Sequence, residues 1–311
     1  MVSEITVVVI GAAVAGIKVS HGVLKHIPTA KIVLVNPHKD YYFHIAAPRV
    51  VVKPDAFSAD QYFYPIQDTF KKYPESSFET IIVGGGGTVG VELAGELSDA
   101  LLGKNDSSPS ITLVSATPHL LPRLKDAAGA AAERILKEKG VKLLASRKVE
   151  KAEQNLGSNV WTVILDTGEV LTADLYVAAT GLLPNNGFIP SAFLDKDGWV
   201  DVDDQLRVRA AVGADGNSAI YAVGDVTTFP RRDGYRIAEQ ASVVVSNIKS
   251  EITGIGQRTS YTPSDRIVAM VPVGRSGGTG QMGSWVLWGF LVSFIKGRDF
   301  FVSKASSFVQ G

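Results

Sequence analysis

The stretch that most limits what this chain can become is Thr80–Leu97, TIIVGGGGTVGVELAGEL. Its order predicts a short buried strand over Thr80–Val83, a glycine-rich turn, and a helix starting near Val89. Gly85, Gly87 and Gly90 stand at G-x-G-x-x-G spacing. The first glycine allows the tight turn out of the strand, and the second lets the backbone approach a pyrophosphate. The third lets the helix pack close to the sheet, with its N-terminal amides and dipole facing the phosphates. A glycine run alone is a loop; placed between a strand and a helix it predicts dinucleotide binding. With 311 residues and 45% hydrophobic content, the chain has material for two domains with cores of their own.

The same design occurs nearer the N-terminus. Ile5–Ile10 reads as a strand, followed by Gly11, Ala12, Ala13, Val14, Ala15 and Gly16 and a helix to about Lys25. Ala13 stands where the middle glycine is usual, and its methyl group narrows the approach to a pyrophosphate. Lys31–Val35 is a continuous apolar run, as expected of a buried parallel strand. It ends at Asn36, about 20 residues after Gly16, where an acidic residue usually bonds a ribose hydroxyl. Asparagine can form some of those bonds, or act as a turn former before Pro37. Arg49 is a candidate phosphate partner or a surface cation. His38 and His44 have no partners at metal-ligand spacing.

Beyond the second fingerprint, Ile111–Val114 predicts a strand ending at Ser115. A carboxylate there would hold the ribose of NADH and repel the 2′-phosphate of NADPH; serine leaves both cofactors open. Arg123 and Lys125 are nearby cations. A helix over Asp126–Lys139, a strand over Val141–Leu144 and a β-meander over Lys148–Leu175 follow. Leu175–Ala179 leads to Thr180 and Gly181, a small-residue exit at the end of a strand. Ile220–Asp225 reads as another strand, closing on Gly224 and Asp225, so that a carboxylate lies at a sheet's C-terminal edge, where ligands collect. Gly234–Ser250 reads as a helix. IVAMVPV and the final DFFVSKA read as strand-like runs around Trp285–Ile295.

Composition removes several classes. Thirty-one basic residues balance 31 acidic ones, so there is no electrostatic footprint for nucleic acid. Cysteine is absent, which excludes a redox-active thiol pair or a thiolate metal site. The first strand begins almost at Met1, so no signal or transit peptide is expected and cytoplasmic residence is the expectation.

These motifs resemble those of the two-dinucleotide-fold flavoprotein oxidoreductases. In particular they resemble the apoptosis-inducing-factor-like group, which includes ferroptosis suppressor quinone reductases and their fungal relatives and is similar to type II NADH dehydrogenases. The residues that carry it are VVVIGAAVAG, NPHKDYYFHIAAPR, IIVGGGGTVGVELAGEL, LYVAATGLLPN and IYAVGDVTTFP, with the C-terminal KGRDFFV the most group-specific piece. The resemblance implies an α/β fold of two Rossmann-like dinucleotide-binding domains with a small C-terminal α+β segment. It implies FAD held by Gly11, Ala13, Gly16, Asn36 and Asp225, and NAD(P)H held by Gly85, Gly87, Gly90 and Glu92. It also implies electron transfer to a quinone-like acceptor, directly from flavin because there is no cysteine. Glu92 is the candidate catalytic residue, ordering the cofactors near the nicotinamide–flavin junction, or else a structural residue near the helix start. The expected domains are residues 1–79 and 181–255 for FAD, 80–180 for NAD(P)H, and 256–311 for the C-terminal segment.

One departure from the group's pattern stands out. Ser77-Phe78-Glu79 runs straight into Thr80, with only about 43 residues between Asn36 and Thr80. The group's third strand, first meander and connector are missing from the FAD domain, which reads as an internal loss. An incomplete sheet would expose edge strands and an apolar face. The run Trp285–Ile295 is too short to span a bilayer. It reads as a core element against the flavin domain, a homodimer face, or a peripheral membrane patch edged by Lys296 and Arg298. Rival readings are a truncated paralogue that binds NAD(P)H only, a DNA-interacting relative, and a monodehydroascorbate or ferredoxin reductase.

Overall fold

The structure is a computed structural model describing residues 6–10, 13–35, 79–102, 108–155, 157–158, 160–213, 220–229 and 232–304. The expectations for Gly11, Asn36, His38, His44 and Arg49 lie outside the described residues. The chain opens with β1 (Thr6–Ile10), α1 (Val14–His26) and β2 (Lys31–Val35). It continues with β3 (Thr80–Gly84), α2 (Thr88–Leu101), β4 (Ser110–Val114), α3 (Asp126–Glu138) and β5 (Lys142–Leu144). The meander is β6 (Val149–Gln154), β7 (Trp161–Leu165) and β8 (Val170–Ala173), followed by β9 (Leu175–Ala178) and α4 (Gly234–Thr253). Last come β10 (Val268–Val273), β11 (Gly277–Met282), β12 (Trp285–Leu287) and the short α5 (Gly289–Val292), which widens into a π-turn over Ser293–Gly297.

Two compact units result. Among the described residues, one joins β1, α1 and β2 to Leu182–Asp265, and the other joins residues 79–181 to Arg266–Ser303. The second unit is built on a parallel sheet of order β5-β4-β3-β9. β3 and β4 are apolar on both faces because helices and the meander cover both, and Ile81, Val83, Ile111 and Leu113 are essentially inaccessible. The start of β3 is pinned by Asp174, whose Oδ2 accepts the N–H groups of Glu79 and Thr80 at 2.8 Å each. The strand therefore has a fixed start at Thr80.

In the first unit β1 and β2 pair in parallel, Thr6 opposite Lys31 through Ile10 opposite Val35. α1 packs against α4, with Gly22 abutting Val245, over a core of Val19, Val23, Val200, Leu206, Ala241 and Val244. Val8 and Ile10 are 58% and 67% exposed, and Leu34 and Val35 are also exposed.

Two expectations need correction. Ile220–Asp225 is not a strand; it makes one antiparallel bridge, Arg207 to Tyr221, and then turns. An apolar run becomes a strand only where a neighbour offers a ladder, and among the described residues that unit's sheet has two strands. The DFFVSKA run is also not a strand. Asp299 accepts the N–H groups of Phe301 (3.0 Å) and Ser303 (3.1 Å), and a turn with a 3₁₀ segment over Val302–Lys304 results. Conversely, β11, GGTGQM, is a strand despite its glycines, because Gly277, Gly278 and Gly280 face Ile135, Val292 and the Ala269 carbonyl too closely for side chains.

Candidate functional site

The second unit carries the sharper cradle. Gly85 has φ +122°, outside the range of ordinary residues, and donates its N–H to the Val114 carbonyl at 2.8 Å. A Cβ at Gly85 would collide with the Ala179 carbonyl, and one at Gly90 with the Gly85 carbonyl. Gly87 is different. It is the N-cap of α2 with φ −76° and ψ −175°, a conformation open to any residue, and a Cβ there would meet nothing within 4 Å. Its missing side chain leaves room facing outward, at the end of a helix with no acidic residue in its first turn. Unopposed amides and an open approach are what a pyrophosphate requires. Gly181, beyond β9, has φ +106° and open space as well. Ser115 is buried under this turn: a Cβ at Gly86 would strike its Oγ, which lies 3.0 Å from Thr117 Oγ1.

Glu92 lies one turn inside α2 and is buried, its side chain 7% exposed. Lys296, from the π-turn, donates to Glu92 Oε1 at 2.7 Å and to the Met270 carbonyl at 3.1 Å. Burial pushes the Glu92 carboxyl above the usual carboxylate range; Lys296 pulls it back, and nearby Glu96, also fully buried, adds to the rise. Lys296 is therefore an internal partner of the nicotinamide-type fold, with its side chain 14% exposed, and not an edge cation of a surface patch. Its bond to Glu92 spans 204 residues, a pairing no local pattern announces. Farther along the helix, Asp99 pairs with Lys139 and accepts the Arg275 N–H at 2.7 Å, tying the β10–β11 turn to the same helix.

The first unit carries a second cradle of matching design. Ala13 is the N-cap of α1 with φ −78° and ψ −177°, within a few degrees of Gly87, and α1 likewise has no acidic residue in its first turn. Gly16 is buried inside this helix. Gly224 has φ +83°, and a Cβ there would lie 3.5 Å from Ala15 Cβ, so the Gly224–Asp225 turn abuts the start of α1. The Gly224 N–H donates to Gln240 Oε1 of α4 at 2.7 Å, and Asp225 is exposed at the tip. A helix N-terminus beside an exposed carboxylate fits a dinucleotide whose phosphates take the amides and whose hydroxyls take the carboxylate. Sequence reasoning finds Asp225 but not Gln240, whose part in fixing the turn depends on α4 folding back onto it.

The profile described as pyridine nucleotide-disulphide oxidoreductase matches residues 53–246. Oxidoreductase phnG of Penicillium herquei is 25% identical over 400 residues, covering 96% of this chain and 94% of that protein. That alignment is longer than the 311-residue chain, so it opens gaps opposite it. Ferroptosis suppressor protein 1 of Taeniopygia guttata is 32% identical over 244 residues; the match covers 77% of this chain and 62% of that protein. Among solved structures, the sulfide:quinone oxidoreductase of Aquifex aeolicus has a TM-score of 0.74 at 14% identity, covering 99% of this chain and 92% of that one. At that identity the likeness is one of fold. The two cradles suit the two dinucleotides expected, FAD and NAD(P)H. The matched profile spans more than half of the sequence, and the chain belongs to the pyridine nucleotide-disulphide oxidoreductase family.

Proposed function

We propose that this protein is an FAD-dependent NAD(P)H oxidoreductase whose electrons go to a quinone-like acceptor. The observation that carries the reading is the repeated N-cap geometry, Ala13 on α1 and Gly87 on α2, each at the head of a helix without first-turn acids. Bound FAD supplies a two-electron carrier that takes hydride from NAD(P)H and returns electrons to the acceptor. The work of this chain is to bind and orient. Gly85, Gly87 and Gly90 shape the turn for the nicotinamide cofactor's pyrophosphate, and Gly181 keeps the exit of β9 clear. Ala13, Gly16, Gly224 and Asp225 do the corresponding work for FAD, with Gly11 as the expected first glycine of that turn. Glu92 orders its cradle from within, through Lys296. No thiol relay enters, since the 311 residues include no cysteine. The domain assignment proposed is the one expected from sequence, with the hairpin β10–β11 serving the nicotinamide fold.

The test is to incubate purified protein with FAD, remove unbound flavin, and add NADH or NADPH under anaerobic conditions. Bleaching of flavin absorbance, reversed by a soluble quinone, is the expected result. Protein that retains no flavin but binds NADH tightly would establish instead the truncated, NAD(P)H-only reading, which the exposed Val8 and Ile10 favour.

Peripheral membrane contact belongs to the same proposal. Trp285, Trp288, Phe290 and Phe294 are each more than 60% exposed, and Arg298 stacks over Phe294 at 4.8 Å. Among the described residues no helix is long and apolar enough to cross a membrane, so attachment would be interfacial. Sedimentation with anionic vesicles, abolished by Trp288→Ser with Phe290→Ser, is the expected outcome; a dimer in solution that ignores vesicles would refute it.

A further inference from the structure

We propose that Arg232 and Trp199 form a clasp that orients the Asp225–Val226 peptide for FAD, making Arg232 a positioning residue of the flavin site. The inference rests on the FAD reading above and extends it to two residues that belong to no expected fingerprint. Arg232 Nε donates to the Asp225 carbonyl at 2.9 Å, and its Nη2 reaches the Thr227 carbonyl at 3.4 Å. Its guanidinium carbon lies 3.5 Å from the centroid of the Trp199 ring, a close cation–π stack. One planar group thus grips two carbonyls of the turn while its face is covered by an indole.

Trp199 is itself fixed. The Asp195 carboxylate accepts the Trp199 N–H at 2.8 Å, the Asp195 N–H returns to the Trp199 carbonyl at 2.7 Å, and Gly198 turns the chain at φ +84°. The next residue is tied to the turn directly: Val200 donates to the Val226 carbonyl at 2.8 Å and accepts from Thr228 at 3.0 Å. From the other side Gln240 holds the Gly224 N–H, and Thr227 Oγ1 donates to the Gly224 carbonyl at 2.9 Å.

The consequence is directional. In a trans peptide the C=O and the following N–H point opposite ways. With the Asp225 carbonyl turned to Arg232, the Val226 N–H is turned away from it, and among the described residues it has no acceptor. The clasp therefore presents a backbone donor beside the exposed Asp225, on the turn that abuts the start of α1. Without Arg232 the peptide loses the donor on its Asp225 carbonyl, and with it one of the restraints on its direction.

The test compares wild type with Arg232→Met, Arg232→Lys and Trp199→Leu by FAD titration, by NADH titration, and by hydrogen exchange of residues 220–229 in flavin-free protein. Arg232→Met should weaken FAD binding about tenfold, a change of ~1.4 kcal/mol, leave NADH affinity unchanged, and speed exchange in that segment. Arg232→Lys, which keeps the charge but not the planar fork, should fall between. Trp199→Leu should match Arg232→Met. Unchanged exchange in Arg232→Met overturns the clasp, and faster exchange with unchanged FAD affinity overturns its positioning role. Wild-type protein that binds no FAD overturns the parent reading, and the proposal with it.

Discussion

Removing the Glu92 carboxylate should cost more than removing any single exposed charge, and the structure sets the scale. Lys296 is 14% exposed, and besides Glu92 it donates to one backbone carbonyl. Glu92→Ala leaves that ammonium buried with a single neutral acceptor, and breaking a buried pair in this way costs about 3–5 kcal/mol. At about 2–4 °C per kcal/mol for a chain of this size, the unfolding midpoint should fall by roughly 6–20 °C. The reverse deletion, Lys296→Met, strands a carboxyl that burial already pushes upward. Its folded-state pKa then lies further above the unfolded value, so the folded state holds the proton longer and stability falls as pH rises through that window. Lys296→Met should therefore be milder in acid than at neutral pH, while Glu92→Ala should lack that slope. Replacing both, Glu92→Leu with Lys296→Met, should recover much of the loss, since a well-packed apolar pair avoids both desolvation costs. The assay is thermal and urea unfolding of the four proteins between about pH 5 and 8. A Glu92→Ala protein within about 0.5 kcal/mol of wild type would refute the reasoning, because that is the range of an ordinary surface substitution.

Other expectations concern the cradles and the uncovered sheet. Gly87→Ala should fold to within about 1 kcal/mol of wild type, since its backbone suits alanine and a Cβ meets open space. It should nevertheless weaken NADH binding in a fluorescence titration, because the methyl group occupies the phosphate's approach. Gly90→Ala should instead lose both stability and binding, as its Cβ strikes the Gly85 carbonyl. Ala13→Gly should tighten FAD in an equilibrium titration by opening the corresponding approach on α1. Val8→Thr with Leu34→Thr should raise soluble yield, measured after centrifugation, with little change in unfolding midpoint; these side chains are exposed apolar surface on the β1–β2 sheet.

The parts of this protein that could be read in advance are those in which the requirement is local. Gly85, Gly87 and Gly90 declare themselves because a positive φ, an open approach and a close helix contact all select glycine within six residues. Boundaries followed for the same reason: β2 is the KIVLV run, and Gly140, at φ +83°, stops the chain just past α3. What escaped reading depends on partners far along the chain. The Glu92–Lys296 bond and the Asp99–Arg275 bond link residues 204 and 176 apart. β11 was concealed because its glycines answer to the side chains of neighbouring elements and not to strand propensity. Ile220–Asp225 reads as a strand and is not one, since an apolar run records a tendency to burial without recording whether a neighbouring strand exists to provide a ladder.

The acidic positions along α2 also bear on the order in which the protein can be made. Glu92 leaves the ribosome 204 residues before Lys296, which at about 5–20 residues per second is a wait on the order of ten seconds or more. For that interval the nascent helix carries a carboxyl group destined for the interior without the ammonium that pairs with it in the fold. A ribosome that stalls before the β10–β11 hairpin thus releases a chain whose central helix cannot settle, and quality-control proteases would meet that fragment at α2 first.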